Sequence, residues 1–172
     1  MDETRKLSGV PETMLQTVYA RAKETQTRGA IRDEKAVEII RKLDYDFSAA
    51  DKDKPIQSGV IAHTIVLDRL VSGYLAQHPG AVVVNLACGL DTRCYRMTGF
   101  CHWYNLDLPQ TIDVRRKLLP EEGNISQISM SAMNLFVKLS FCAAREYPAE
   151  CLQTRLDIDS RLKNTIKAWK EA

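Results

Sequence analysis

Apolar positions along the chain change period several times, and each change predicts an element. Met14, Leu15, Val18 and Ala22 recur at helical spacing and Pro11 suits a first-turn position, predicting a helix from about Pro11 to Thr27. Asp33 stands where it can cap a second helix, DEKAVEIIRKL, whose Ala36, Val37, Ile40 and Leu43 make one apolar stripe. The mixed stretch LDYDFSAADKDKPIQSG reads as a loop. From about Ser58 to Gln77 a broad apolar face returns at helical period, and His78, Pro79 and Gly80 stop it.

The period then shortens. Ala81 to Val84 run without polar interruption into Ala87, Cys88 and Gly89, predicting a strand buried on both faces in the middle of a parallel sheet. A short helical turn follows over Thr92 to Met97, then a second strand over His102 to Leu108 and a helix over Pro109 to Leu119. Beyond Asn134, LFVKLSFCAAREYP and LDIDSRLKNTIKAWKEA both read as helices. Strand, helix and strand in succession predict an α/β fold with adjacent parallel strands and a helix crossing back over them. The expected sheet has three strands, centred on or edged by Ala81 to Ala87, and the whole is one domain: a helical cap over 1–57, a core over 58–134 and a helical tail over 135–172.

Composition narrows the picture only a little. With 172 residues the chain can bury one real core. Its 45% hydrophobic and 27% charged residues are those of a globular protein, and a net charge of +2 offers no electrostatic footprint for nucleic acid. No apolar run stands out as a membrane span and MDETRKLSG lacks a signal-peptide core, so the expected location is cytoplasmic. Five cysteines without a CxxC pair read as reduced thiols, and no metal site is assigned.

The candidate chemistry gathers where the first strand ends. Open α/β sheets bind ligands at the carboxyl ends of their strands, where small residues let the backbone come close. Asp107 lies at the tip of the second strand, about 20 positions beyond Gly89, where a carboxylate can hold the two hydroxyls of a ribose. A nicotinamide dinucleotide is disfavoured because ACGLDT lacks the third glycine of that fingerprint. Arg115 and Arg116 read most simply as a solvated face.

NLACGLDTRCYR, followed by WYNLDLPQTIDVRRKLLP, resembles the leucine carboxyl methyltransferase family, including its bacterial tetracenomycin-type O-methyltransferase branch. ARAKE around Arg21 and LDYDF at Leu43 to Phe47 extend the resemblance, which spans roughly residues 10 to 134. It implies a Rossmann-like class I methyltransferase core, its parallel sheet incomplete, with an N-terminal helical cap and S-adenosylmethionine as cofactor. Gly89 would approach the methionine part, Asp107 would hold the ribose, and Leu108 would line the adenine side. Arg21 would lie over the site from the cap, while Asp91 and Arg93 would shape the turn.

The chain departs from the family's pattern at several of these positions. Ala87 stands where many members have a glycine, which is tolerable if φ is negative there. His63 stands where an arginine commonly meets the cofactor's carboxylate, Asn105 replaces an acidic residue, and Asn134 replaces an aspartate bordering the adenine. No catalytic residue is assigned, because methyl transfer from a sulfonium needs mainly positioning. His63 and His102 are the candidate bases for an alcohol or phenol acceptor.

The resemblance therefore implies an O-methyltransferase acting on a small-molecule or carboxylate acceptor, weakened or inactive if the chain is truncated after about residue 134. The alternative is a noncatalytic binding protein derived from the same scaffold. A strand left unpaired at the sheet edge would be a liability, and a homodimer is one way to cover it.

Overall fold

A computed structural model describes residues 12–131. Four helices precede the sheet: α1 (Glu12–Gln26), α2 (Glu34–Lys42), α3 (Ser48–Lys52) and α4 (Lys54–Gln77). Strands β1 (Ala81–Leu86) and β2 (Phe100–Asp107) follow, then helix α5 (Pro109–Leu118) and strand β3 (Ile125–Ser129). Asp33 caps α2 as its position suggested, accepting the Ala36 N–H at 3.0 Å. The stretch that read as a loop contains α3 and the first turn of α4, because Asp53 caps α4 by accepting the Ile56 N–H and Pro55 opens it without losing a helical bond.

The strands are parallel and ordered β1-β2-β3, with Asn85, Asn105 and Gln127 side by side in register. The fold is thus α/β, as expected, and β1 and β2 are the adjacent parallel pair, joined through a 3₁₀ turn at Arg93–Tyr95. Of the two positions expected for β1, centre and edge, the structure shows the edge. Among the described strands it is β2 that lies in the centre, buried from His102 to Leu106, whereas β1 lies at an edge with Leu86 exposed. Apolar residues in β1 report what could be buried, while the neighbours that bury them are a tertiary matter.

Three apolar clusters join the elements. Leu15, Val18 and Ala22 of α1 pack with Ala36, Val37 and Ile39 of α2 and with Leu90, Leu118 and Leu119, which seats the cap on the sheet's helix layer. Ala20 and Ile31 meet Ile61 of α4, and Cys94, Trp103 and Ile125 form a third cluster on the sheet. Polar bonds reinforce the seating: buried Asp33 accepts from Arg21 Nε at 2.9 Å and from the Thr92 hydroxyl, linking α1, α2 and the turn after β1.

Helix α4, 24 residues long, is apolar enough by composition to cross a bilayer, which the sequence pattern did not suggest. Its Asp68 is held by three guanidinium bonds, from Arg93 Nε at 2.7 Å, Arg96 Nε at 2.7 Å and Arg96 Nη2 at 3.0 Å, which tie the helix to the turn after β1. Ile56, Val66, Leu70 and Tyr74 of the same helix are exposed.

Candidate functional site

Past Leu86 the chain must leave the sheet without losing its last ladder bond, and it does so through two residues with left-handed backbone. Ala87 has φ +51° and Gly89 has φ +47°, while the Cys88 N–H between them still donates to the Leu106 carbonyl at 3.1 Å. The tolerance expected of Ala87 rested on a negative φ and is corrected here: its methyl sits in the region disfavoured for L-residues. A Cβ on Gly89 would meet the Met14 side chain at 3.6 Å, ordinary contact, so backbone conformation rather than space favours glycine there.

The turn opens onto a cavity of about 560 Å³. Its walls come from α1 (Met14, Thr17, Arg21), from α4 (Gly59, Val60, His63, Thr64, Leu67) and from Asn85, Ala87, Cys88, Gly89, Leu90, Asp91 and Arg93 at and after the end of β1. Four of the residues anticipated from sequence, Arg21, His63, Ala87 and Gly89, are brought together in this one space. Asp107 adjoins it through Gly89, whose N–H donates to Asp107 Oδ2 at 2.8 Å, and the other carboxylate oxygen accepts the Leu108 N–H at 2.7 Å. A carboxylate oxygen has two acceptor positions, so each keeps one for a hydroxyl.

Other anticipated residues fare differently. Leu108 is half exposed and does not line the cavity. Asn134, like the helical tail, lies outside the described residues. His102 is buried in β2, with Nε2 3.0 Å from the Ser126 hydroxyl, and is not part of the cavity wall, so of the two candidate bases only His63 faces it. Arg21 is buried and already engaged, donating to Asp33 and, at 2.9 Å, to the Leu90 carbonyl; its first role is to fasten α1 to the turn.

Asp91 and Arg93 do shape the turn. Asp91 Oδ1 accepts the Arg93 N–H at 2.9 Å and its Oδ2 takes Arg93 Nη1 at 2.6 Å, while Arg93 Nε reaches Asp68. Burial would raise the Asp68 carboxyl, but the bonds from Arg96 and Arg93 outweigh it and hold the group below its ordinary range.

Cys88 and Cys94 are buried free thiols, in line with the reduced state expected of them. Burial pushes the Cys88 thiol up to about 12, against the nearby Arg115 charge, so neither nucleophilic chemistry nor metal ligation is favoured there. Among the described residues no group of three His, Cys, Asp or Glu is placed to hold a metal ion.

Arg115 was read as part of a solvated face and is instead fully buried. Nη1 donates to the Gly89 carbonyl at 2.9 Å and Nη2 points at Cys94 Sγ at 3.7 Å. The signal for this was present, since Ile112, Arg115 and Leu118 or Leu119 follow one helical stripe and the apolar members of that stripe are buried. The adjacent Arg116 is the half-exposed one, reaching the Gln127 carbonyl at 3.3 Å. Asn105, flagged as a departure, is buried in β2, where Oδ1 accepts from Trp103 Nε1 and Asn85 Nδ2 and Nδ2 points at Cys94 Sγ.

The sequence profile of the leucine carboxyl methyltransferase family matches residues 14–162, reaching past the point near residue 134 where its motifs stop being readable. The chain is 42% identical over 137 residues to the tetracenomycin polyketide synthesis O-methyltransferase TcmP of Streptomyces glaucescens, covering 76% of this chain and 50% of that protein. It is 31% identical over 127 residues to the S-adenosyl-L-methionine-dependent methyltransferase dpfgK of Gibberella zeae, covering 67% of this chain and 43% of that protein. The chain thus spans about half the length of these two relatives.

Proposed function

Because the chain belongs to the leucine carboxyl methyltransferase family, we propose that it binds S-adenosylmethionine at the carboxyl ends of β1 and β2 and serves O-methyl transfer to a small-molecule or carboxylate acceptor. One observation carries this reading: Gly89, in the turn after β1, and Asp107, at the end of the adjacent parallel strand β2, are hydrogen-bonded to each other at the mouth of a cavity roofed by α1 and α4. A cavity of about 560 Å³ is of the size that holds cofactor-sized ligands. The free acceptor positions on Asp107 suit a ribose diol, and the bare backbone at Gly89 suits close approach of the methionine part.

In this arrangement Asp107 holds the sugar, Gly89 and Ala87 form the floor, and His63 and Arg21 face the amino-acid end. Leu108 belongs to the adenine side. When bound, the cofactor supplies an electrophilic methyl group. The chain's own contribution is to orient it and to exclude water, for which Met14, Val60 and Leu67 provide apolar wall. A carboxylate acceptor needs no base; for a phenol, the exposed imidazole of His63 is the group in reach of the cavity.

A second reading, a binding protein without turnover, draws support from the cations. Arg21 is committed to Asp33 and Leu90, and residue 63 offers an imidazole in place of a permanent guanidinium. Calorimetry with S-adenosylmethionine, followed by a methyl-transfer assay with carboxylate and phenolic acceptors, separates the two. Binding with turnover supports the enzyme, binding alone supports the second reading, and no binding refutes both.

The unit is further proposed to be one cytoplasmic domain, with cap, core and tail divided near residues 57 and 134. A second copy covering the β1 edge at Leu86 is part of the same proposal. Light scattering across a concentration series tests it, and a monomer throughout would remove the dimer.

A further inference from the structure

We infer that Arg115 is a positioning residue for the cofactor turn, acting through the Gly89 peptide, an inference that rests on the proposed cofactor site. Arg115 is fully buried, and its nitrogens meet a carbonyl and a sulfur: Gly89 O at 2.9 Å from Nη1 and Cys94 Sγ at 3.7 Å from Nη2. Its Nε is buried with no hydrogen-bond partner among the described residues. A guanidinium enclosed in this way is costly to desolvate, and a methionine or leucine on the same stripe of α5 would fill the space without that cost. What neither could do is hold the Gly89 carbonyl.

That bond has a counterpart. The Gly89 N–H donates to Asp107 Oδ2 at 2.8 Å, so the two polar groups of one glycine are gripped by side chains from two different elements, β2 and α5. A glycine at φ +47° is otherwise the softest point of the turn, since it populates several backbone regions at similar free energy. Gripping its N–H and its carbonyl restricts φ and ψ together and sets where Asp107 stands relative to the backbone.

Arg115 is itself anchored. Cys94 Sγ also receives Asn105 Nδ2 at 3.5 Å, Asn105 Oδ1 accepts Asn85 Nδ2 at 3.1 Å, and Asn85 Nδ2 reaches Asp91 Oδ2 at 3.2 Å. The path leads from Asp107 through Gly89, Arg115, Cys94 and the side-chain amides of Asn105 and Asn85 back to Asp91, on the far side of the same turn. A turn held from both sides enters the complex already ordered, and binding is tighter for it.

The test uses the unchanged chain, Arg115→Met, Arg115→Lys, Asp107→Ala and the double variant Arg115→Met/Asp107→Ala. S-adenosylhomocysteine is titrated calorimetrically, and backbone amide exchange is followed by NMR without ligand. Arg115→Met is expected to weaken binding about 10- to 100-fold, the effect of losing one charge-assisted bond. Gly89 amide exchange should rise about tenfold, a lesser version of the same loss, while β2 amides keep their protection. The double variant should bind nearly as Asp107→Ala does, because both substitutions release the same glycine.

A merely structural arginine would raise exchange throughout the sheet and its effect would multiply with that of Asp107→Ala, which overturns the inference. If Arg115→Met does not fold, Arg115→Lys carries the same test, keeping the charge while losing the fork, with a smaller but still Gly89-selective rise. Binding sensitive to Asp107→Ala yet unchanged in the Arg115 variants removes this inference alone. No binding by the unchanged chain removes the cofactor reading and this inference with it.

Discussion

Replacing Ala87 by glycine should make the protein more stable, against the usual direction for glycine in place of alanine. Ala87 has φ +51°, and an L-residue in that region carries about 1–2 kcal/mol of strain that glycine does not. Glycine brings a larger loss of chain entropy on folding, about 0.5–1 kcal/mol, which offsets part of the gain. The alanine methyl is exposed, so little burial is forfeited, and the expected net gain is about 0.5–1 kcal/mol. For a domain of this size that corresponds to a rise of roughly 1–4 °C in Tm.

Ala81→Gly is the control. Ala81 opens β1, is buried, and is not among the positive-φ residues, so glycine there should destabilise by about 1 kcal/mol. Urea unfolding of both variants against the unchanged chain provides the measurement. If Ala87→Gly lowers the midpoint as Ala81→Gly does, residue 87 is not held in a left-handed turn, and the account of how β1 hands the chain to the site fails with it.

Asp107→Ala should weaken S-adenosylmethionine binding by about 1.5–3 kcal/mol for each ribose hydroxyl left without its acceptor, and calorimetry giving equal affinities would remove Asp107 from the site. His63→Arg should tighten binding modestly without creating turnover where there is none, read by paired titration and methyl-transfer assay; a large gain in rate would place residue 63 in the chemistry instead. The Asp68 carboxyl is held below its ordinary value by Arg96 and Arg93 despite burial, so its stabilisation is complete above about pH 4 and disappears as pH falls through the lower folded value. Asp68→Asn should therefore flatten the acid limb of a stability-against-pH curve, and an unchanged limb would show that the bonds to α4 contribute nothing.

Local pattern determined much of this protein by itself. The stripes of α2 and α5, the cap at Asp33, the adjacent parallel strands and the Gly89 to Asp107 pairing are encoded in short spacings, because helix period, capping and strand-to-turn transitions depend on near neighbours. The family was readable for the same reason, since its motif is nearly contiguous. Tertiary structure decided the rest. That β2 and not β1 is the central strand depends on which strands pair, and that Ala87 is strained depends on where β1 must send the chain. Arg21 and Arg115 are charged residues on apolar stripes, and only the partners that packing brings to them, Asp33 and Leu90 for one and Gly89 and Cys94 for the other, distinguish a buried clamp from a solvated face. A spacing says which way a side chain points; what it meets there is settled by elements far away in the chain.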